Sequence, residues 1–457
     1  MRNDCAMSET LDLLIIGAGA CGLAGAISAH DAGGTVAIVE GRDRPGGNSS
    51  LSTGSIPGAG SKYQHQAGID DSPRRMVEDL TRIAGRHQAD DLTQMIAAEC
   101  GPLCEWLIED LGARMELITA YRHIGHSVER LHAPRSRRGQ DLVDDLLRSV
   151  AQRDIPIAVG NKAKHLLVED GYVVGAVVEG EPVPARKVLL ATNGFAADPA
   201  LVAEHCPEIA AAEYFGAPGS TGDAVRWGLA LGAALGTMGS YQGYAAVAYP
   251  QGQLLSWTIL EKGGVLVSET GERFGNEDLG YSGFASHVMA QGSFAWAIYD
   301  MRIHGVAQAE DEYAEMSAMG AVKWADTPAA LAEVVGLNRV GLEQAILAYN
   351  AAAKGDCKDR FGRTAFAMAP LQAPFAAVKV KPGLFHTQGG LLVDNKARVR
   401  KVSGGVIDNL FAGGGAAAGI SGRDGALGYA SGNGLITALV LGRKAGIVAM
   451  EEIRAKV

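Results

Sequence analysis

Gly17, Gly19 and Gly22 stand in the spacing G-x-G-x-x-G, directly after the apolar run DLLII (12–16). An Ala-rich stretch, LAGAISAHDAGG, follows and leads into TVAIVE, which ends in Glu40. This order predicts a strand–helix–strand unit whose chemistry is dinucleotide binding. The first glycine makes the turn, the second lets backbone approach a pyrophosphate, and the third lets helix and strand pack closely. Glu40, at the end of the second strand, is placed to accept hydrogen bonds from an adenosine ribose. A carboxylate there would repel a 2′-phosphate, which disfavours NADP.

The rest of the composition must supply a frame for that unit. The chain has 457 residues, 47% of them hydrophobic and 20% charged, so it can bury a large core in two or three domains. Its 61 glycines are nearly twice the ordinary share of roughly 7%. They crowd into residues 17–60 and 389–446, where tight turns and close approach to a ligand are expected. A net charge of −10 without a basic run argues against nucleic-acid or anionic-membrane partners. Six scattered cysteines, without haem or iron–sulfur spacing, fit a reducing cytosol and two buried thiols at Cys100 and Cys104. The polar N-terminus is not a secretory signal, no stretch has the ~18 uninterrupted apolar residues of a membrane span, and no G-x-S-x-G or metal-ligand cluster is present.

A second glycine cluster, RPGGNSS (44–50), follows the second strand, and four more segments recur in a familiar order: VLLATNGFAAD (188–198), STGDAVRWGLALGA (220–233), GGLLVD (389–394) and LFAGGGAAAGISGRDGALGYASGNG (410–434). Here the chain resembles flavoproteins of the fumarate reductase, succinate dehydrogenase and 3-ketosteroid dehydrogenase superfamily, over nearly its whole length. The resemblance implies FAD. Its contacts would begin at Gly17, Gly19, Ala20 and Gly22, and continue through Glu40, Gly41 and Arg42. The second cluster adds Gly46, Gly47, Asn48, Ser49 and Ser50, with Thr53 and Gly54 behind it. Ala163, then Ala191, Thr192, Asn193 and Gly194, then Asp223, come from mid-chain. Gly414, Gly432, Asn433, Gly434 and Leu435 close the set. Covalent members carry a histidine after the glycine pair; Asn48 stands there, so FAD is expected to be held noncovalently.

The same resemblance implies where the reaction occurs. In fumarate reductases the pattern GxRF-x-NE precedes a proton-donating arginine; in GERFGNEDLGY that place is Tyr281, which matches the catalytic tyrosine of 3-ketosteroid dehydrogenases. Where the reductases clamp a carboxylate with arginine, this chain has Tyr429. With the N–H of Gly432 it would form a donor pair for a ketone oxygen. A neutral ketone needs such donors where enolate charge develops, whereas a dicarboxylate needs cations. Tyr281, with an ordinary phenol pKa of about 10, would need help as a base, from Tyr121, Tyr244 or Tyr249. His386 and Arg423 depart from the steroid pattern and point to a substrate that also carries an anionic group. His126 and His132, in HSVERLHAP, match a segment near the active site of fumarate reductases and read as scaffold.

The expected architecture is α/β, a Rossmann-like FAD-binding domain (1–243 and 370–457) with an inserted α+β substrate or cap domain (244–369). Within the insert, residues 327–355 have helical apolar spacing. The expected activity is FAD-dependent desaturation of a cyclic ketone, with an external electron acceptor such as oxygen, a quinone or a carrier protein. The alternative is the reverse chemistry, a fumarate- or urocanate-reductase-like reduction of an activated C=C bond.

Overall fold

The structure, a computed structural model, describes residues 10–120, 122–292 and 294–455. The strand Leu11–Ile16 is buried at Leu13 to Ile16 and leads through the glycine turn into the helix Ala20–Asp31, then the strand Val36–Glu40. These two strands pair in parallel and lie inside an eight-stranded sheet. The central order across it is Arg398–Arg400, Val406–Ala412, Glu181–Leu190, Leu11–Ile16, Val36–Glu40, Ile157–Val159. Every neighbouring pair except the first is parallel, the arrangement that brings ligand-binding loops to the carboxyl ends of the strands.

The C-terminal helix, Asn433–Arg454, lies against the first helix, and glycines set the distance between them. A Cβ at Gly442 would lie 2.1 Å from the Cys21 carbonyl oxygen, and one at Gly446 would lie 2.3 Å from that of Gly25. By length and composition this helix could cross a membrane, but 78% of its apolar window is buried within the protein, as for a core helix.

A second, seven-stranded sheet is built around the long strand Phe375–Thr387. That strand pairs antiparallel with Gly239–Ala248 and Ala295–Asp300, and the sheet carries a separate hydrophobic core that includes Phe195, Tyr241, Trp257, Phe284 and Tyr299. The boundary expected at 243/244 falls inside the strand Gly239–Ala248, and the strand Phe375–Thr387 lies beyond the one expected at 369/370. Strands from both sides of the 244–369 segment therefore complete the second sheet. The helical stretch expected over 327–355 is two helices, Pro328–Val335 and Arg339–Lys354. Gly336, at φ 77°, ends the first, and the Asn338 side chain caps the second by accepting from the Gly341 N–H.

Candidate active site

A cavity of about 870 Å³ runs from the glycine turn to the edge of the second sheet. Gly17, at φ 110°, makes the turn; a Cβ there would strike the Ala191 carbonyl oxygen at 2.3 Å. At Gly22 a Cβ would come within 1.9 Å of the Gly17 oxygen, so this glycine serves helix–strand packing behind the cavity. Gly19 differs: the nearest protein atoms to an added Cβ are 3.6 Å away, and the residue faces the cavity. The space a Cβ would fill at Gly19 is therefore left for a ligand.

Glu40 lines the same cavity. Its two carboxylate oxygens accept from the Ala18 and Arg42 N–H groups, each at 2.9 Å, which holds the carboxylate in place. Ala20, Gly41, Arg42, Gly47, Asn48, Ser49 and Thr53 also line it, as do Ala163, Ala191, Thr192, Asn193 and Asp223. Gly414, Gly432, Gly434 and Leu435 complete the far wall. Gly46, Ser50, Gly54, Gly194 and Asn433 stand behind these lining residues. Ser50, for example, donates to the Gly47 carbonyl at 2.9 Å, and Asn433 donates to Ser421 at 3.3 Å.

Asn48 Nδ2, Thr192 Oγ1, Gln388 Nε2 and Thr437 Oγ1 are buried beside this space, and among the described residues none has a hydrogen-bond partner. Buried polar atoms are costly unless paired, so an elongated ligand rich in donors and acceptors fits this lining. FAD is such a ligand. Gln388 and Thr437 were not foreseen from sequence, although Gln388 directly precedes the GGLLVD segment and lies two residues after His386.

Tyr281 and Tyr429 meet at the far end of the cavity, ring centroids 5.8 Å apart and edge to face. The hydroxyl of Tyr429 interacts with that of Tyr281 and lies beside the Gly432 backbone N–H. Burial first, then charge on Tyr281 and the bond to it, push the Tyr429 phenol well above its usual value, so it keeps its proton. Tyr281 lies 3.5 Å from the Ser431 hydroxyl and is stacked on Tyr244, which is itself stacked on Phe385 at 5.5 Å.

The Gly432 N–H is aimed by a buried network. His126 Nε2 bonds to the Ser431 carbonyl at 2.8 Å while its Nδ1 lies 3.2 Å from Arg130 Nη1. Arg130, fully buried, is held by Asp71 and Asp79. Arginine is always a donor, so His126 Nδ1 accepts and Nε2 donates. Burial lowers the His126 pKa to about 4, which keeps it neutral in that tautomer. In a trans peptide C=O and N–H point in opposite directions. A bond that ties the Ser431 carbonyl to His126 therefore turns the Gly432 N–H towards Tyr429.

Several expected site residues are placed elsewhere. Tyr249 does not reach the cavity: its ring is 41% exposed, packed on Phe294, with Lys379 and Lys381 over it. Arg423 is also outside, on an exposed loop near Asp424. Tyr244 is close, but its hydroxyl donates to the Leu255 carbonyl at 2.9 Å, so it contributes a stacked ring. Tyr121 lies outside the described residues. His386 lines the cavity, against the first turn of the C-terminal helix at Gly434. Burial lowers its pKa, so it presents a neutral imidazole rather than a cation. His132 is fully buried and bonded to Ser61, away from the cavity wall. Among the described residues there is no group of three metal-ligating side chains.

The chain is similar to a probable fumarate reductase, Ifc3, of Shewanella frigidimarina: 30% identical over 451 residues, covering 96% of this chain and 74% of that protein. It is also 30% identical over 320 residues to the 4-oxocyclohex-2-ene-1-carboxylate 5-dehydrogenase of Sinomonas cyclohexanicum, covering 61% of this chain and 54% of that one. A flavocytochrome c3 fumarate reductase in its open conformation superposes with a TM-score of 0.83 at 29% identity, over 97% of this chain and 78% of that one. The 3-ketosteroid delta1-dehydrogenase of Sterolibacterium denitrificans has the same fold, with a TM-score of 0.80 at 20% identity, over 97% and 100% of the two chains. Residues 12–429 match the FAD binding domain family, FAD_binding_2. The chain belongs to that family and is an FAD-dependent oxidoreductase.

Proposed function

We propose that the chain desaturates a cyclic ketone, with Tyr281, Tyr429 and Gly432 around the reacting carbons. The reading rests on one observation, the cluster of two tyrosines and a backbone N–H at the end of the cofactor cavity. In the free protein the Tyr429 proton and the Gly432 N–H are engaged within this cluster. A ketone oxygen seated between them would take over both donors, which are then directed at the atom where enolate charge develops. Tyr281 acts as its phenolate, having given its own proton to solvent beforehand, and returns to the neutral phenol as it takes the α-proton. FAD, when bound, supplies the acceptor for the hydride that leaves the β-carbon. One proton and one hydride depart, and the C=C bond forms between the two carbons.

FAD is held noncovalently in this reading: Asn48, at the position of the covalent histidine, fixes the loop by accepting from the Ala217 N–H at 2.6 Å. Turnover would then require an electron acceptor outside the chain, such as oxygen, a quinone or a carrier protein. The Sinomonas relative, named for dehydrogenating an oxocyclohexene carboxylate, supports a ring substrate. The fumarate reductase relatives favour a second reading, in which the same site protonates and reduces an activated alkene.

Anaerobic mixing of the FAD-loaded protein with a panel of saturated ring ketones separates the two. Bleaching of the oxidised flavin by a ketone supports desaturation. A flavin that stays oxidised with every ketone, but is reoxidised from its reduced state by an activated alkene, supports reduction.

A further inference from the structure

A smaller cavity of about 260 Å³ adjoins the large one and shares Tyr281, Tyr429 and Gly432 with it. Its basic residues, Arg122, His123 and Arg137, all come from the segment 122–137, and its acidic ones come from two places, Glu261 at the end of one short helix and Glu310 and Glu312 at the start of another. Arg137 is the unusual member. Its Nη2 lies 3.2 Å from His123 Nε2, and its Nε is buried without a hydrogen-bond partner. Among the described residues no carboxylate lies within ion-pairing distance of it, although most buried or half-buried arginines here have one, Arg130, Arg273 and Arg363 among them.

The surroundings do not neutralise that charge. Burial, the Arg137 cation and His126 lower the His123 pKa to about 4, so His123 stays neutral and accepts from the guanidinium. Burial raises the pKa of Glu261 and Glu312, Thr258 donates to Glu310 at 2.8 Å, and none of the three carboxylates lies within ion-pairing distance of Arg137 among the described residues. Arg137 is also held at φ 57°, a backbone conformation that a residue with a Cβ adopts at a cost in energy. Such strain, on a cation whose Nε is unpaired in the wall of a cavity, fits a residue kept for a ligand.

We propose that Arg137 is the specificity-determining anchor for an anionic end of the substrate, a carboxylate on the ring. The planar fork of a guanidinium matches the two oxygens of a carboxylate better than an ammonium does. The anchor replaces Arg423, which is exposed outside the cavity, and His386, which is neutral. It rests on the reading that the ring lies against Tyr281, Tyr429 and Gly432.

The test uses two unreactive probes, cyclohexanecarboxylate and its neutral amide, titrated into the FAD-loaded protein and followed by the change in the flavin spectrum. Wild type should bind the anion at least tenfold tighter than the amide. Arg137→Gln should remove most of that preference and leave the amide within twofold, and Arg137→Lys should restore part of it. The assignment is overturned if wild type shows no preference, or if Arg137→Gln weakens both probes equally or neither. Because neither probe is turned over, the result is independent of the ketone reading. A flavin unbleached by every ketone alongside an Arg137-dependent anion preference would sink the reaction and keep the anchor.

Discussion

Tyr281 and Tyr429 are 148 positions apart in the chain, yet their rings touch, because one lies between two strands of the second sheet and the other just precedes the C-terminal helix. Their chemistry depends on neighbours that act through the backbone. His126→Leu removes the bond to the Ser431 carbonyl and frees the peptide that aims the Gly432 N–H. Ketone turnover should fall by about tenfold or more in kcat with KM little changed, up to the roughly 10²-fold or greater loss that follows outright removal of one oxyanion donor. His126→Gln, which can still donate, should recover most of it; equal losses in both variants, or a loss in KM alone, would count against the positioning role. Arg423→Ala and Tyr249→Phe should each leave steady-state constants within about twofold, as for surface changes away from the site. Motif spacing singled out Tyr281 and Tyr429, whose rings the fold brings together in the cavity wall, because each is locked to a neighbouring glycine or N–E pattern. Tyr249, chosen by motif position, and Arg423, chosen from its loop, do not line the cavity, because they turn to solvent beside Lys379, Lys381 and Asp424 in contacts that no local pattern records. Arg137 and His123 were passed over for a related reason. An arginine in RSRRG reads as a solvated charge until the fold places it in a cavity wall.

At the scale of elements, the two strands of the first strand–helix–strand unit were legible to within a residue, since glycine spacing and apolar periodicity are local, while the helix between them begins at Ala20, inside the glycine motif and ahead of the Ala-rich stretch. The break at Gly336 was harder to see, because apolar spacing continues across it while the left-handed glycine ends the helix. The second sheet was not legible in detail: it pairs Gly239–Ala248 with Phe375–Thr387, and nothing local to either strand names the other. The contact between the first and last helices carries a prediction of its own. Gly442→Ala places a Cβ 2.1 Å from the Cys21 carbonyl, and this backbone cannot move aside cheaply. The variant should lose about 2 kcal/mol or more in urea unfolding, within the cost range for overpacking a core. An unchanged midpoint would show that the helices can separate freely.

For the whole molecule, the burial that serves the site also sets the acid limit of the fold. His123, His126 and His132 each have a pKa lowered to about 4, with burial the largest cause. In the unfolded chain the same groups take up a proton near pH 6.5. Between those values the unfolded state binds more protons, so stability should fall as pH drops from about 6.5 to about 4. For a side chain as buried as His132 the loss is on the order of 3 kcal/mol. Urea midpoints at pH 7.5 and pH 4.5 check this: a clear decrease is expected, and a midpoint that holds or rises at the lower pH would contradict it. Asp79, lowered to about 2, should add its own loss only at still lower pH, as it takes up a proton.

The central claim is that Tyr281 takes the α-proton of a ketone, and the most direct test is the rate of anaerobic flavin reduction in wild type and Tyr281→Phe. The substrate would be a saturated ring ketone bearing a carboxylate. Wild type should bleach, and Tyr281→Phe should bind FAD with an unaltered spectrum yet bleach at least about 10²-fold more slowly, the usual cost of removing a general base. Equal rates in the two proteins would contradict the account.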